Sequence, residues 1–104
     1  MEPLLEIAFT ATVIHWRGPA PFFFVAIPED QVGAVREAAR EASYGWGCVP
    51  VEACVAGEAF RTSLFPRDGG YMLPVKAAVR KATGVVLDDV VAVEMAIHRP
   101  RYQA

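Results

Sequence analysis

Residues 22–30 read Phe22-Phe23-Phe24-Val25-Ala26-Ile27-Pro28-Glu29-Asp30, and residues 71–76 read Tyr71-Met72-Leu73-Pro74-Val75-Lys76. Both are apolar runs that meet a proline and pass into a helical pattern, so one local grammar is used twice. In the first, aromatic and β-branched residues occupy both faces, the composition of a central strand covered on two sides. Pro28 stops that strand. Glu29 and Asp30 then fall where carboxylates favour the positive end of a helix dipole. Val32, Val35, Ala38, Ala39 and Ala42 make one apolar stripe at spacings of three and four, with Arg36, Glu37, Arg40 and Glu41 opposite and Gly45 and Gly47 as stop signals. In the second copy, Pro74 is read as ending a short strand over residues 71–73. A helix over residues 75–83 follows, with Val75, Ala78, Val79 and Ala82 inward, Lys76, Arg80 and Lys81 outward, and Gly84 as its C-terminal stop.

Outward from these two copies, strands are written in alternation. Leu5, Ile7, Phe9, Ala11 and Val13 alternate against Glu6, Ala8, Thr10 and Thr12, until Arg17-Gly18-Pro19-Ala20-Pro21 breaks the pattern. Residues 48–56 put Val49, Val51, Ala53 and Val55 inward, and Gly57-Glu58 reads as a type II′ hairpin loop into a strand over residues 59–65. Asp68-Gly69-Gly70 is a second turn. Asp88-Asp89 turns the chain into a last strand, residues 90–97, with Val91, Val93, Met95 and Ile97 on one face. The halves, residues 5–56 and 59–97, thus share the order strand, strand, helix, strand. Neither carries enough apolar surface to stand alone, so they are expected to interleave into one small β-barrel capped by two helices, a single domain over residues 1–104.

A chain of 104 residues with 54% hydrophobic residues supports one packed core. Ten basic and twelve acidic residues leave a net charge of −2, which gives no global signature of a nucleic-acid or anionic-membrane binder. The acidic opening around Glu2 and Glu6 is unlike a signal peptide, and the longest uncharged run is short and broken by prolines, so a cytoplasmic protein outside the membrane is expected. Cys48 and Cys54 on one strand stand about 20 Å apart at roughly 3.3 Å per residue, far beyond the about 7 Å a disulfide allows. Both read as free thiols. Two cysteines and the distant His15 and His98 do not make a four-ligand metal site, and no cofactor motif is present.

The stretch Leu73-Pro74-Val75-Lys76 through Gly84-Val85, followed by Asp89-Val90-Val91-Ala92-Val93, resembles the AbrB and MazE type of swapped-hairpin barrel. Tyr44-Gly45-Trp46-Gly47-Cys48-Val49-Pro50-Val51, then Phe60-Arg61-Thr62-Ser63-Leu64-Phe65-Pro66, then Gly70-Tyr71-Met72-Leu73-Pro74-Val75-Lys76 is more closely similar to the family known as domain of unknown function nineteen hundred and five. That resemblance covers nearly the whole chain and implies a double-split β-barrel, mainly β with two helices. It implies no activity. Asp88 departs from the glycine usual at its turn, which puts the backbone there in question.

No nucleophile stands in a recognisable motif beside His15 or His98, and these histidines read as strand-end surface residues. The polar set that invites a ligand is Arg61 and Ser63, sharing the strand face opposite Phe60, Thr62 and Leu64, with Lys76 and Arg80 one helical turn apart. Either these cations pair with Glu52, Glu58 or Asp68 or are solvated, or they hold an anion such as a carboxylate or phosphate. Tyr71 and Trp46 join the set, Tyr71 as a polar group near a barrel mouth and Trp46 as a residue packed over the core end, a lid over the mouth or a partner contact. Three functions compete: a non-catalytic module binding a small molecule or protein, as monomer or homodimer; an AbrB-like DNA-binding regulator, less favoured by the charge; and a small-metabolite enzyme using Tyr71, Ser63 and Arg61 at the barrel mouth.

Overall fold

The structure, a computed structural model, describes residues 3–16, 22–43 and 47–99. Seven strands and two helices follow one another as β1 (Leu5–Thr12), β2 (Ile14–Trp16), β3 (Phe22–Ala26), α1 (Glu29–Ala42), β4 (Val49–Val55), β5 (Glu58–Arg67), β6 (Gly70–Val75), α2 (Ala77–Thr83) and β7 (Val90–Ile97). The strands form one antiparallel sheet in the order β1-β7-β4-β5-β6-β3-β2. Its two ends, β1 and β2, are consecutive in the chain with Val13 alone between them. The sheet therefore curls back on itself into a small half-barrel whose two end strands are joined by the backbone itself.

The alternations in β1, β4 and β7 fall as the pattern predicts, with Val49, Val51, Ala53, Val55, Val91, Val93, Met95 and Ile97 all buried. The prolines behave differently from their sequence reading. Pro74 does not end a strand: β6 continues through it to Val75, and β5 runs through Pro66 to Arg67. Proline lacks an N–H and is tolerated in a strand only where one flank has no ladder to serve. Pro66 pairs with Tyr71 beyond the last β4–β5 pair at Leu64, and Pro74 pairs with Phe24 beyond the last β5–β6 pair at Met72. Pro50 likewise pairs with Ser63 ahead of Glu52, where β7 first meets β4. The three prolines thus mark where neighbouring strands part and the barrel splits.

Because β6 takes Val75, α2 begins at Ala77, two residues later than the pattern suggests, and Ala78 and Ala82 are exposed; Val79 is its buried residue. Gly84 closes it in the left-handed conformation, φ 76°. In α1, Val35, Ala38, Ala39 and Ala42 are buried as expected.

The hairpin between β4 and β5 also corrects the sequence reading. Its loop is Ala56-Gly57, with φ of 50° and 88°, so both central residues are left-handed and the turn is of the type I′ kind rather than a type II′ turn on Gly57-Glu58. Val55 pairs with Glu58, which fixes the loop one residue earlier. Asp68-Gly69 repeats the arrangement at 50° and 79°. Alanine has no side-chain group to offset a left-handed backbone, so Ala56→Asn is expected to raise stability by about 0.5–1 kcal/mol. Urea denaturation checks this, and a midpoint that does not rise contradicts the strain at Ala56.

Candidate functional site

Arg61 and Ser63 lie on the outward face of β5 and Leu64 on the inward face, as strand parity requires. Arg61 stands opposite Glu52 of β4 and its Nη2 is 3.6 Å from Glu52 Oε2, both side chains well exposed. Glu52 Oε1 is in turn 2.6 Å from His98 Nε2, just beyond β7. One carboxylate therefore serves both Arg61 and His98. Ser63 faces the same way as Arg61, opposite Pro50.

Lys76 and Arg80 solve their like-charge spacing without carboxylates. Lys76 Nζ donates to the backbone carbonyl of Arg61 at 2.5 Å, tying the start of α2 to β5. Arg80 Nε donates to the Val75 carbonyl at 3.3 Å, and its guanidinium carbon lies 4.0 Å from the centroid of the Phe23 ring. Contact over an aromatic face at that distance is a favourable cation–π geometry. Asp68 is taken by Arg67, 3.6 Å away. Among the described residues, neither Lys76 nor Arg80 is in an ion pair. Both ammonium and guanidinium keep further donors beyond the bonds named here.

His15 also belongs to this corner, which sequence reasoning missed. It is half-buried and not merely a surface residue: it pairs with Phe23 across β2 and β3, ring centroids 4.9 Å apart. On its other flank, Phe23 pairs with Val75, whose carbonyl holds Arg80. Phe23 is thus bracketed by His15 from the β2 side and Arg80 from the β6 side. The available signal was a histidine shortly before a triple phenylalanine, but the register that sets His15 opposite Phe23 is a property of the strand pairing and not of local sequence.

Tyr71 is placed elsewhere. At 9% exposure it is part of the core with Leu73 and Val75, on the inward side of β6, so it does not join Arg61 and Ser63 on the outward face. Trp46 lies outside the described residues. Cys48 and Cys54 are free and half-buried. Cys54 sits in a shallow groove of about 550 Å³ on the outer face of β1, β7 and β4, floored by Ala8 and Ala96 and edged by Glu6, Glu52 and Glu94. No group of three or more metal-ligating side chains comes together among the described residues. No helix among them is long and apolar enough to cross a membrane.

Compared with families of known sequence, residues 9–95 match the family described as "Domain of unknown function (DUF1905)". Compared with curated proteins, the chain has no match.

Proposed function

We propose, from the premise that the chain belongs to the DUF1905 family, that it is a non-catalytic binding module whose ligand face is the corner where α2 meets β5 and β3. The ligand is an anion held by Lys76 and Arg80, with Arg61 and Ser63 alongside. The observation that carries this reading is that Lys76 and Arg80 are fixed in place by backbone carbonyls and an aromatic ring rather than by acids. Their charge is preorganised and not neutralised, which is what an anion site requires. A ligand with two anionic oxygens would use the guanidinium fork of Arg80 and the ammonium of Lys76 together.

A titration with inorganic phosphate, followed by amide chemical shifts, tests this. Shifts are expected around residues 61–63 and 75–80, with a Kd of about 1 mM, near −4 kcal/mol, and weaker binding as salt rises. Arg80→Gln is expected to weaken binding about tenfold, and Arg80→Lys to recover part of it, because charge returns without the planar fork. Lys81→Gln, on exposed surface of the same helix, leaves it unchanged. Absent shifts, or shifts that survive Arg80→Gln and Lys76→Met together, overturn the site. Turnover of any substrate that is lost on Ser63→Ala overturns the non-catalytic reading.

The same proposal includes a single domain over residues 1–104 built from a pseudo-repeat of residues 5–56 and 59–97, acting in the cytoplasm as a monomer or homodimer. What supports the repeat is that exchanging β1 and β2 for β5, β3 for β6 and β4 for β7 leaves every strand pairing unchanged.

A further inference from the structure

We propose that the corner formed by residues 86–90 and Ile14 is a docking surface for a short apolar, basic segment of another protein. The large hydrophobic residues exposed among the described part of the chain are Ile14 at 37%, Val86 at 60%, Leu87 at 44% and Val90 at 70%, and all four lie at this one place. Val90 pairs with Thr12, two residues before Ile14, while Val86 and Leu87 stand in the turn that precedes β7. Scattered single apolar residues need no explanation, but a cluster in an otherwise well-buried molecule marks an interaction site.

The turn is held rigidly. Val13 N–H donates to the Asp89 carbonyl at 2.8 Å and Asp88 N–H donates to the Val13 carbonyl at 3.0 Å. Within the turn, Val86 N–H donates to Asp89 Oδ2 at 2.9 Å and Asp89 N–H to the Val86 carbonyl at 3.1 Å. Asp88, the residue in the glycine position, takes the left-handed conformation at φ 72°. Turn tips are ordinarily filled by glycine, asparagine, aspartate or serine. Here Asp88 takes the left-handed tip position as such residues do and Asp89 makes the turn's side-chain bond, yet Leu87 beside Asp88 at the tip and Val86 ahead of it are apolar and exposed. A clamped apolar tip has already lost the backbone freedom that docking would otherwise remove, so its burial converts into affinity with little ordering cost.

The acidic pair at the corner selects the occupant. Among the described residues, neither Asp88 nor Asp89 is in an ion pair, and Asp88 is exposed. A partner must therefore bring lysine or arginine beside its apolar anchors. A second copy of this chain meeting the same corner by a two-fold axis would set Asp88 and Asp89 against their own images, which is repulsive. Four side chains also fall short of the roughly 800 Å² per partner that a stable dimer buries. An anionic membrane is repelled by the same carboxylates. No residue is shared with the proposed anion face on α2, so the two proposals stand or fall separately.

Selection of random dodecapeptides displayed on phage against the whole chain, counter-selected on the Val86→Ser/Leu87→Ser/Val90→Thr variant, tests the proposal. Enriched peptides are expected to combine leucine, isoleucine or phenylalanine with lysine or arginine, and to bind the variant at least about tenfold more weakly. Asp88→Asn, which keeps the apolar tip and the tolerance for a left-handed backbone, is expected to weaken the same peptides. The altered side chains are exposed, and an unchanged circular dichroism spectrum and thermal midpoint show that the variant folds. Peptides without basic residues, peptides that bind the variant equally well, or no enrichment overturn the proposal. So does concentration-dependent dimerisation in sedimentation equilibrium that the variant abolishes, which assigns the corner to a second copy.

Discussion

Leu73→Ala is expected to remove about 3 kcal/mol of unfolding free energy, within the range for large-to-small changes in closed cores. Leu73 is fully buried on β6, directly opposite the equally buried Val25 of β3. The loss has two parts: the transfer energy of the deleted carbons, and the void left where neighbours cannot collapse. Collapse is hindered on both sides, because the β6 neighbours of Leu73, Met72 and the rigid ring of Pro74, are paired with Ala26 and Phe24 of β3. A protein of this size has about 5–15 kcal/mol in total, so this one change takes roughly a fifth to three-fifths of it. In urea the midpoint should fall at unchanged slope, while Leu87→Ala, on exposed surface, should stay within about 0.5 kcal/mol. A loss at Leu73 below about 1 kcal/mol would show that the barrel interior relaxes freely and is not packed to native density.

What could be read from sequence follows from which signals are local. The alternation of β1, β4 and β7, the alanine stripe of α1 and the stop at Pro28 depend only on neighbours a few residues away, and each stands as expected. Pro74 and Pro66 were unreadable for a physical reason. Whether a proline ends a strand depends on whether the flank facing its missing N–H has a partner, and that is set by strands distant in sequence. The shift of α2 and the exposure of Ala78 and Ala82 follow from that one misreading. The hairpin at Ala56 misled because a Gly57-Glu58 loop keeps the same inward residues on both strands, so alternation does not decide between the two registers; the left-handed pair Ala56-Gly57 marks the loop the chain adopts.

The candidate site divides along the same line. Strand parity was enough to put Arg61 and Ser63 together on the outward face, whereas Lys76, read as a helical residue one turn before Arg80, is the extended N-cap of α2. The partners of those residues were not legible. Lys76 reaches the Arg61 carbonyl because α2 sits where β5 and β6 part, and Arg80 reaches Phe23 because β3 lies on the far side of β6. Like charges one turn apart implied compensation, and the candidates read from sequence were the carboxylates of Glu52, Glu58 or Asp68, solvent, or a bound anion. The compensation found is a carbonyl and a ring, and it leaves the charge available.

The second large effect concerns α1 and decides between functions as well as measuring packing. Ala38, Ala39 and Ala42 are buried beside Val35, and the helix touches β1, β4 and β6. Three alanines on one face let the helix backbone lie close against the barrel, with no side chain able to retract and make room. Ala39→Leu adds three carbons to that contact and is expected to destabilise the protein by about 2 kcal/mol, as overpacking of a filled site does. The thermal midpoint should fall by roughly 10 °C for a domain of this size. Ala34→Leu on the exposed face of the same helix, where alanine and leucine have similar helix propensity, should leave it almost unchanged. An unchanged or raised midpoint for Ala39→Leu would mean that a void of several carbons lies beneath the helix. That is the interior room a small-metabolite enzyme needs and a side-chain-filled barrel lacks, so the expected loss favours the binding module and its absence would favour the enzyme.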